Sequence, residues 1–213
     1  MFAVVGEDKS DVEMINVLIR RIAGNSKLSI KRKGYNGCAE MLVKGAKQLK
    51  AYSELGCTKF VICYDSDRDD PQDRYKQIVE KIITPAKIAG TFCALVPVQE
   101  IESWILADLP AVTKVIPTWK PTEKFANPES CADPKELLEK LSRTQQQRPL
   151  FSHAVHNPRV AEHLDLALVA DKCASFHSLY DIVKLGTGNY PIPEVTDDIK
   201  AAKRQMLDDL SKV

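Results

Sequence analysis

Short apolar runs alternate along this chain with longer stretches in which apolar residues recur every three or four positions. Phe2-Ala3-Val4-Val5 reads as a buried strand. Behind it Val12, Ile15, Leu18, Ile19 and Ile22 recur at helical spacing. Ser10-Asp11-Val12-Glu13 has the form of a capping box that opens this helix, and Gly24-Asn25 ends it. Leu28-Ser29-Ile30 alternates as a second strand, and Gly34 and Gly37 bracket a loop. Met41, Leu42, Ala46 and Leu49 mark a second helix, and Phe60-Val61-Ile62-Cys63-Tyr64 a third strand. Pro71 suits the first turn of a third helix carrying Ile78, Ile82 and Ile83, and Phe92-Cys93-Ala94-Leu95-Val96 reads as a fourth strand. The order β-α-β-α-β-α-β over residues 2–98 predicts an α/β fold, Rossmann-like, with a mostly parallel sheet and helices on its faces.

Beyond Ile101 the pattern becomes helical. Helices are expected over Glu102–Leu109, Pro134–Leu141, Arg159–Leu168, Ser175–Val183 and Thr196–Leu210, with residues 110–133, rich in Pro, Thr and Asn, as loop. The expected organisation is an α/β core over residues 1–110 and a helical C-terminal region over 111–213 packed on it.

Composition narrows the classes. The 213 residues carry 30 Lys+Arg against 29 Asp+Glu, so this is no bulk polycation. No apolar run approaches the roughly 20 residues of a membrane span, and the acid at position 7 argues against a signal peptide. The six cysteines form no C-x-x-C pair; Cys63 and Cys93 lie inside apolar runs and read as small buried hydrophobes. A reducing cytoplasm is the expected location.

Acids follow three of the four strands: Glu7-Asp8-Lys9-Ser10-Asp11, Asp65-Ser66-Asp67-Arg68-Asp69-Asp70 and Glu100-Ile101-Glu102. In a parallel sheet these carboxyl ends converge, and sites lie beyond them. Gathered carboxylates repel unless a cation neutralises them, and hard oxygen ligands suit Mg²⁺ or Mn²⁺. Glu7, Asp11, Asp65, Asp67, Asp69 and Glu102 are the candidate metal ligands; Asp8 and Asp70 read as helix caps or loop residues. A calcium loop fails, because its sixth position is Asp70 and its twelfth Lys76. An aspartyl-nucleophile phosphatase leaves Glu7 unexplained, and no dinucleotide or P-loop motif is present.

A Glu after the first strand and D-x-D after the third, in this frame, resemble the TOPRIM domain. The set Glu7-Asp8-Lys9-Ser10-Asp11 and Glu100-Ile101-Glu102-Ser103-Trp104 is most similar to the branch of OLD-family nucleases and small stand-alone bacterial TOPRIM-like proteins. The stretches Arg159-Val160-Ala161, Leu164-Asp165-Leu166 and Ser175-Phe176 are similar to that group too. The resemblance implies a TOPRIM core and a metal-dependent nuclease cleaving DNA or RNA, with a role in phage defence or a toxin-like role. It implies an ATPase partner on another protein, and it allows a homodimer. Glu7, Asp65, Asp67 and Glu102 would then be the catalytic carboxylates. Two departures stand out. Asp8 replaces the usual Gly, and Phe151-Ser152-His153 stands where relatives carry Tyr-x-Lys, so the basic catalytic group is open among Lys135, His153 and Arg159.

Residues 26–50 carry seven Lys or Arg against Glu40 alone. Lys31-Arg32-Lys33, expected just after the second strand on the same edge as the acids, is the candidate nucleic-acid contact, with Arg159. His153 and His156 have no nearby Cys or acid pair and are not read as a zinc site. Trp104 is read as a core anchor rather than a base-stacking platform. The alternative to a nuclease is a non-hydrolytic nucleic-acid-binding or assembly module that retains the fold.

Overall fold

The computed structural model describes residues 1–143 and 148–190; the expected helix Thr196–Leu210 lies outside them. Strands β1 (Phe2–Gly6), β2 (Ile30–Gly34), β3 (Lys59–Cys63) and β4 (Thr91–Leu95) form one sheet in the order β2-β1-β3-β4. Every pairing is parallel. Helix α1 (Lys9–Ala23) follows β1, α2 (Cys38–Glu54) follows β2, and α3 (Pro71–Ile78) follows β3. A π-helical turn, Val79–Ile83, carries α3 into the single turn α4 (Thr84–Ala86). The α/β, Rossmann-like expectation therefore holds. Register puts Gly6, Gly34, Cys63 and Leu95 level, so whatever follows each strand emerges at one edge.

Strand alternation sends successive side chains to opposite faces and builds two apolar layers. Ala3, Val5, Phe60 and Ile62 pack with Met41, Leu49, Ile78 and Ile82 of α2 and the α3 segment. Val4, Val61, Cys63 and Cys93 pack with Ile15, Leu18 and Ile19 of α1. The same second core continues into Leu138, Val160, Val169 and Phe176, so the helical C-terminal region packs directly on the α1 face.

Helix α5 (Ser103–Ala107) follows β4, and the C-terminal region contains α6 (Pro134–Leu141), α7 (His153–Ala161), α8 (Leu166–Lys172) and α9 (Phe176–Tyr180). Trp104 is a core anchor, as its setting in the sequence implied: it is fully buried, edge-on to Phe176, and donates from Nε1 to Ser175 Oγ at 2.9 Å. Segment 187–190 covers the outer edge of β4, where Asn189 Oδ1 accepts from Ala94 N at 2.8 Å and Asn189 N donates to Phe92 O at 3.0 Å. All six cysteines are free thiols, and Cys63 and Cys93 are buried apolar neighbours.

Several boundaries differ from expectation, each for a physical reason. The N-cap of α1 is Asp8, not Ser10: Asp8 is extended and its carboxylate accepts from Ser10 N at 2.6 Å, leaving Ser10 inside the helix. A carboxylate cap of this kind contributes about 1 kcal/mol. Glu13 does not reach back but pairs with Arg32 at 2.7 Å. Strand β2 starts at Ile30 and runs to Gly34, so Lys31-Arg32-Lys33 is strand rather than loop. It is an edge strand with much of its surface exposed, so the period-two apolar signal is absent. Gly34 ends it where a Cβ would meet Lys9 Cα at 2.6 Å; only glycine admits α1 this close. The expected helix Arg159–Leu168 is two helices, because Asp165 accepts from Ala167 N and Leu168 N and so restarts the chain as α8. Helix α5 is shorter than expected, and the stretch read as loop holds 3₁₀ turns at Leu109–Lys114 and Pro128–Ser130.

No helix among the described residues is long and apolar enough to cross a membrane.

Candidate functional site

Beyond the carboxyl edge of the sheet the loops after β3 and β4 clasp each other. Ser66 N donates to Pro97 O at 3.1 Å, Asp67 N to Gln99 O at 2.8 Å, and Gln99 N to Ser66 Oγ at 2.8 Å. Asp67 and Gln99 sit at φ 51 and 62, a left-handed conformation that costs non-glycine residues energy and persists because these bonds over-determine it. The clasp fixes the departure of Asp65 and of Glu100–Glu102 from their strands.

Four carboxylates gather beneath it. Glu7, half-buried after β1, accepts from Asp65 N at 3.1 Å through Oε1. Asp11 lies in the first turn of α1, buried. Asp65 is buried, and its Oδ1 has no hydrogen-bond partner. Glu102 is 0% exposed at the N-cap position of α5; Oε1 accepts from Asn157 Nδ2 at 2.9 Å and Oε2 has no partner. Burial is the first cause that raises all four pKa values. Asp11 and Asp65 rise well above the ordinary carboxylate range, because they also repel each other and Glu102.

Lys135, in the first turn of α6, enters this cluster. Its Nζ lies 3.3 Å from Glu100 Oε1 and its backbone N–H donates to Glu100 Oε2 at 2.8 Å. Burial alone would lower the ammonium pKa, but Glu102, Glu100, Asp65 and Asp11 together outweigh it and raise it. Of the three basic candidates, Lys135 is the one set among the carboxylates. His153 Nδ1 stands 4.0 Å from Glu139 on α6, and Arg159 is exposed on α7.

Asp67 and Asp69 lie further out. Both side chains are more than half exposed, and Asp69 is drawn to Arg74 at 2.6 Å, with Asp67 3.8 Å from the same guanidinium. Arg74 stacks on the Tyr64 ring at 4.4 Å and also donates to its hydroxyl. Asp67, Arg68, Asp69, Glu100 and Asp133 line an open cleft of about 300 Å³ beside the buried acids. A larger cleft, about 660 Å³, runs along α6 past Glu136, Lys140 and Arg143 and contains none of the candidate ligands. Asp8 and Asp70, read from the sequence as caps or loop residues, are the N-caps of α1 and α3.

The basic stretch does not present one face. Lys31 is level with Ala3 and Lys33 with Val5, on the α2 side of the sheet; Arg32 is level with Val4 and turns to Glu13 of α1. Lys33 lies over the Tyr35 ring, 5.2 Å from its centroid.

The donor set is oxygen only, with one partnerless buried oxygen each on Asp65 and Glu102, and this chemistry fits a hard divalent cation. Among the described residues no three His, Cys, Asp or Glu side chains already stand where they would hold a metal ion. Two carboxylates are engaged elsewhere, Glu7 by Asp65 N and Asp69 by Arg74. A cation entering this site would have to compete with Lys135 and re-aim those groups.

Three site residues were not assigned a role in the sequence. Glu100 sat inside a recognised motif, but only the structure joins it to Lys135. Arg74 gives no local signal. Asn157 does give one: Asn157, Val160 and Ala161 are the buried residues of α7, so a polar side chain occupies an apolar stripe.

Fold and site define an α/β protein with a four-stranded parallel sheet and a carboxylate–lysine cluster at the carboxyl ends of its strands. The chain belongs to the family described as a domain of unknown function (DUF4276), whose model matches residues 6–184, from the end of β1 through α9. No curated protein and no solved structure matches the chain.

Proposed function

We propose that this chain is a TOPRIM-type, Mg²⁺- or Mn²⁺-dependent nuclease that hydrolyses phosphodiester bonds of DNA or RNA. The observation that supports it most is the burial of Asp65 and Glu102, from two different strand ends, each with a partnerless oxygen, in one electrostatic group with Glu7, Asp11 and Lys135. Burying carboxylates this way costs stability, and groups held at such a cost cluster at functional sites. A divalent ion held by Glu7, Asp11, Asp65 and Glu102 would supply charge neutralisation on the phosphate and a more acidic water. Within that frame Glu7, half-buried with its pKa raised, takes up a proton from the attacking water. Lys135 opposes the negative charge that develops on the phosphate, and Glu100 holds it in place. Asp67 and Arg68 border the open cleft through which a nucleic-acid strand would reach the acids.

The same reading extends to a cytoplasmic defence or toxin-like role beside a separate ATPase, since this sequence carries no nucleotide-binding motif. A second reading, a nucleic-acid-binding module without hydrolysis, is favoured by Lys135, which compensates the acids without any metal. Purified chain incubated with plasmid and with RNA, with and without Mn²⁺, separates the two. Mn²⁺-dependent cleavage that disappears in Asp65→Ala supports the nuclease; retention of either polymer without cleavage supports the module.

A further inference from the structure

The buried face of α7 is formed by Asn157, Val160 and Ala161, and its backbone is tied to α1, where Arg21 donates to Ala161 O at 2.8 Å. An apolar side chain at position 157 would complete this stripe but would leave Glu102 Oε1 without its donor. Asn157 instead brings an amide into a place with 0% exposure. Its Nδ2 donates to Glu102 Oε1 at 2.9 Å, while its own Oδ1 has no partner. The amide is thus committed to one neighbour. Pro158 follows it inside the helix and removes the N–H that would bond to Ala154; Ala154 is exposed, so water can satisfy the freed carbonyl.

A carboxylate at the end of a loop rotates freely about its last bond and offers either oxygen to a cation. One fixed donor on Oε1 sets the plane of the Glu102 carboxylate and leaves Oε2 as the oxygen without a partner. Hydrogen bonds of this kind, from a residue that does not itself touch the metal, orient ligating carboxylates and raise affinity. The geometry points to Asn157 as the positioning residue that presents Glu102 Oε2 to a divalent cation. This inference rests on the metal-dependent reading above.

The test is Mn²⁺ binding by the whole chain, followed through the EPR signal of the free ion, with no nucleic acid present. Asn157→Leu removes the amide while keeping the same branching, and Asn157→Ser keeps a polar group too short to reach Glu102. Both are expected to raise the Mn²⁺ midpoint by about 10–100-fold. Glu102→Gln raises it by itself, and adding Asn157→Leu to Glu102→Gln moves it by no more than about twofold, because the amide acts only through that carboxylate. Should Asn157→Leu fail to fold, Asn157→Ser carries the comparison. If wild type binds Mn²⁺ and the Asn157 variants bind it equally well, the positioning role is overturned and the metal reading stands. The same holds if the Asn157 and Glu102 effects simply add. If wild type does not bind Mn²⁺, the metal reading falls and takes the positioning role with it.

Discussion

Glu100 is held at both oxygens by one residue: Lys135 donates its backbone N–H to Oε2 at 2.8 Å and places Nζ 3.3 Å from Oε1. The double grip joins the segment after β4 to the start of α6 and aims the lysine stem into the acidic cluster. Removing the ammonium leaves buried carboxylates uncompensated. Lys135→Met is therefore expected to lower metal-free stability by about 1–3 kcal/mol. That is less than breaking a fully buried pair, because the Lys135 side chain is 32% exposed. The loss should be larger at pH 8 than at pH 5, where protons replace the ammonium. Denaturant melts of wild type and variant at both pH values check this, and equal losses would exclude Lys135 as the counter-charge.

Proton linkage gives the sign of a second expectation. Asp11 and Asp65 have folded-state pKa values well above their ordinary ones, through burial first and mutual repulsion with Glu102 next. Between the two values the folded chain binds more protons than the unfolded chain. Their contribution is complete below the ordinary carboxylate value and is lost as pH rises from about 4 towards the raised value. Glu40 works in the opposite direction, lowered by its bonds to Lys44 and Asn36 N, but it lies at the surface, where solvent screens the pair. Metal-free Tm should thus be higher at pH 5 than at pH 8, and millimolar Mn²⁺ should narrow the gap by taking the place of the protons. Calorimetric scans across this range decide it; a metal-free Tm that rises with pH would mean the cluster does not hold protons.

The parallel sheet was legible because β1, β3 and β4 are continuous apolar runs bounded by acids, and the level register of Gly6, Cys63 and Leu95 brings the acids after them together. Strand β2 was misplaced because an edge strand of Ile, Lys, Arg, Lys and Gly shows no alternation. The cap of α1 was misread because Asp8 and Ser10 are both good caps, and the backbone geometry at position 8 decides between them. The separation of buried Asp65 from outlying Asp69 was invisible, since both belong to one acidic run; Arg74, a turn into α3, draws Asp69 outward. Lys135 lies 33 positions beyond Glu102, and no local pattern records that the fold joins them.

A third expectation follows from the partnerless oxygen of Asp65. Asp65→Asn removes one buried charge, so metal-free stability at pH 8 should rise as repulsion with Asp11, Glu102 and Glu7 falls. The same change should abolish stabilisation by metal. For wild type at about 100 times Kd, linkage gives about 2.7 kcal/mol and a Tm shift of about 5–10 °C. Melts with and without Mn²⁺ measure both effects, and a full shift in Asp65→Asn would remove Asp65 from the ligand set.

Nucleic-acid contact should follow the faces of β2 rather than its charge count. Lys31 and Lys33 share the α2 side, and Lys47 is exposed on α2, whereas Arg32 is balanced by Glu13 and Lys44 by Glu40. Lys31→Ala with Lys33→Ala should weaken binding and make the salt slope shallower by about 0.9 for each phosphate of duplex DNA that is no longer neutralised. Arg32→Ala should do less. Binding isotherms at several salt concentrations make the comparison, and a larger loss from Arg32→Ala would place the nucleic acid on the α1 side instead.

Glu7 separates a carboxylate that only holds a cation from one that also handles the attacking water. It follows β1, accepts from Asp65 N, and is the half-buried member of the cluster, so solvent reaches it more readily than Asp11, Asp65 or Glu102. Its pKa is raised by burial, against the bond from Asp65 N, and this moves it towards the working range of a general base. Glu7→Gln keeps the side-chain carbonyl, and with it an acceptor for Asp65 N, but cannot take a proton. It should retain nucleic-acid binding and most of the Mn²⁺ stabilisation while losing about 10²–10⁴-fold in cleavage rate. The measurement is single-turnover cleavage of a labelled strand in Mn²⁺, alongside melts of the same preparations and with the candidate ATPase added where wild type needs it. Equal cleavage by wild type and Glu7→Gln would remove Glu7 from the chemistry. Loss of the Mn²⁺ shift together with cleavage would make it a ligand and nothing more.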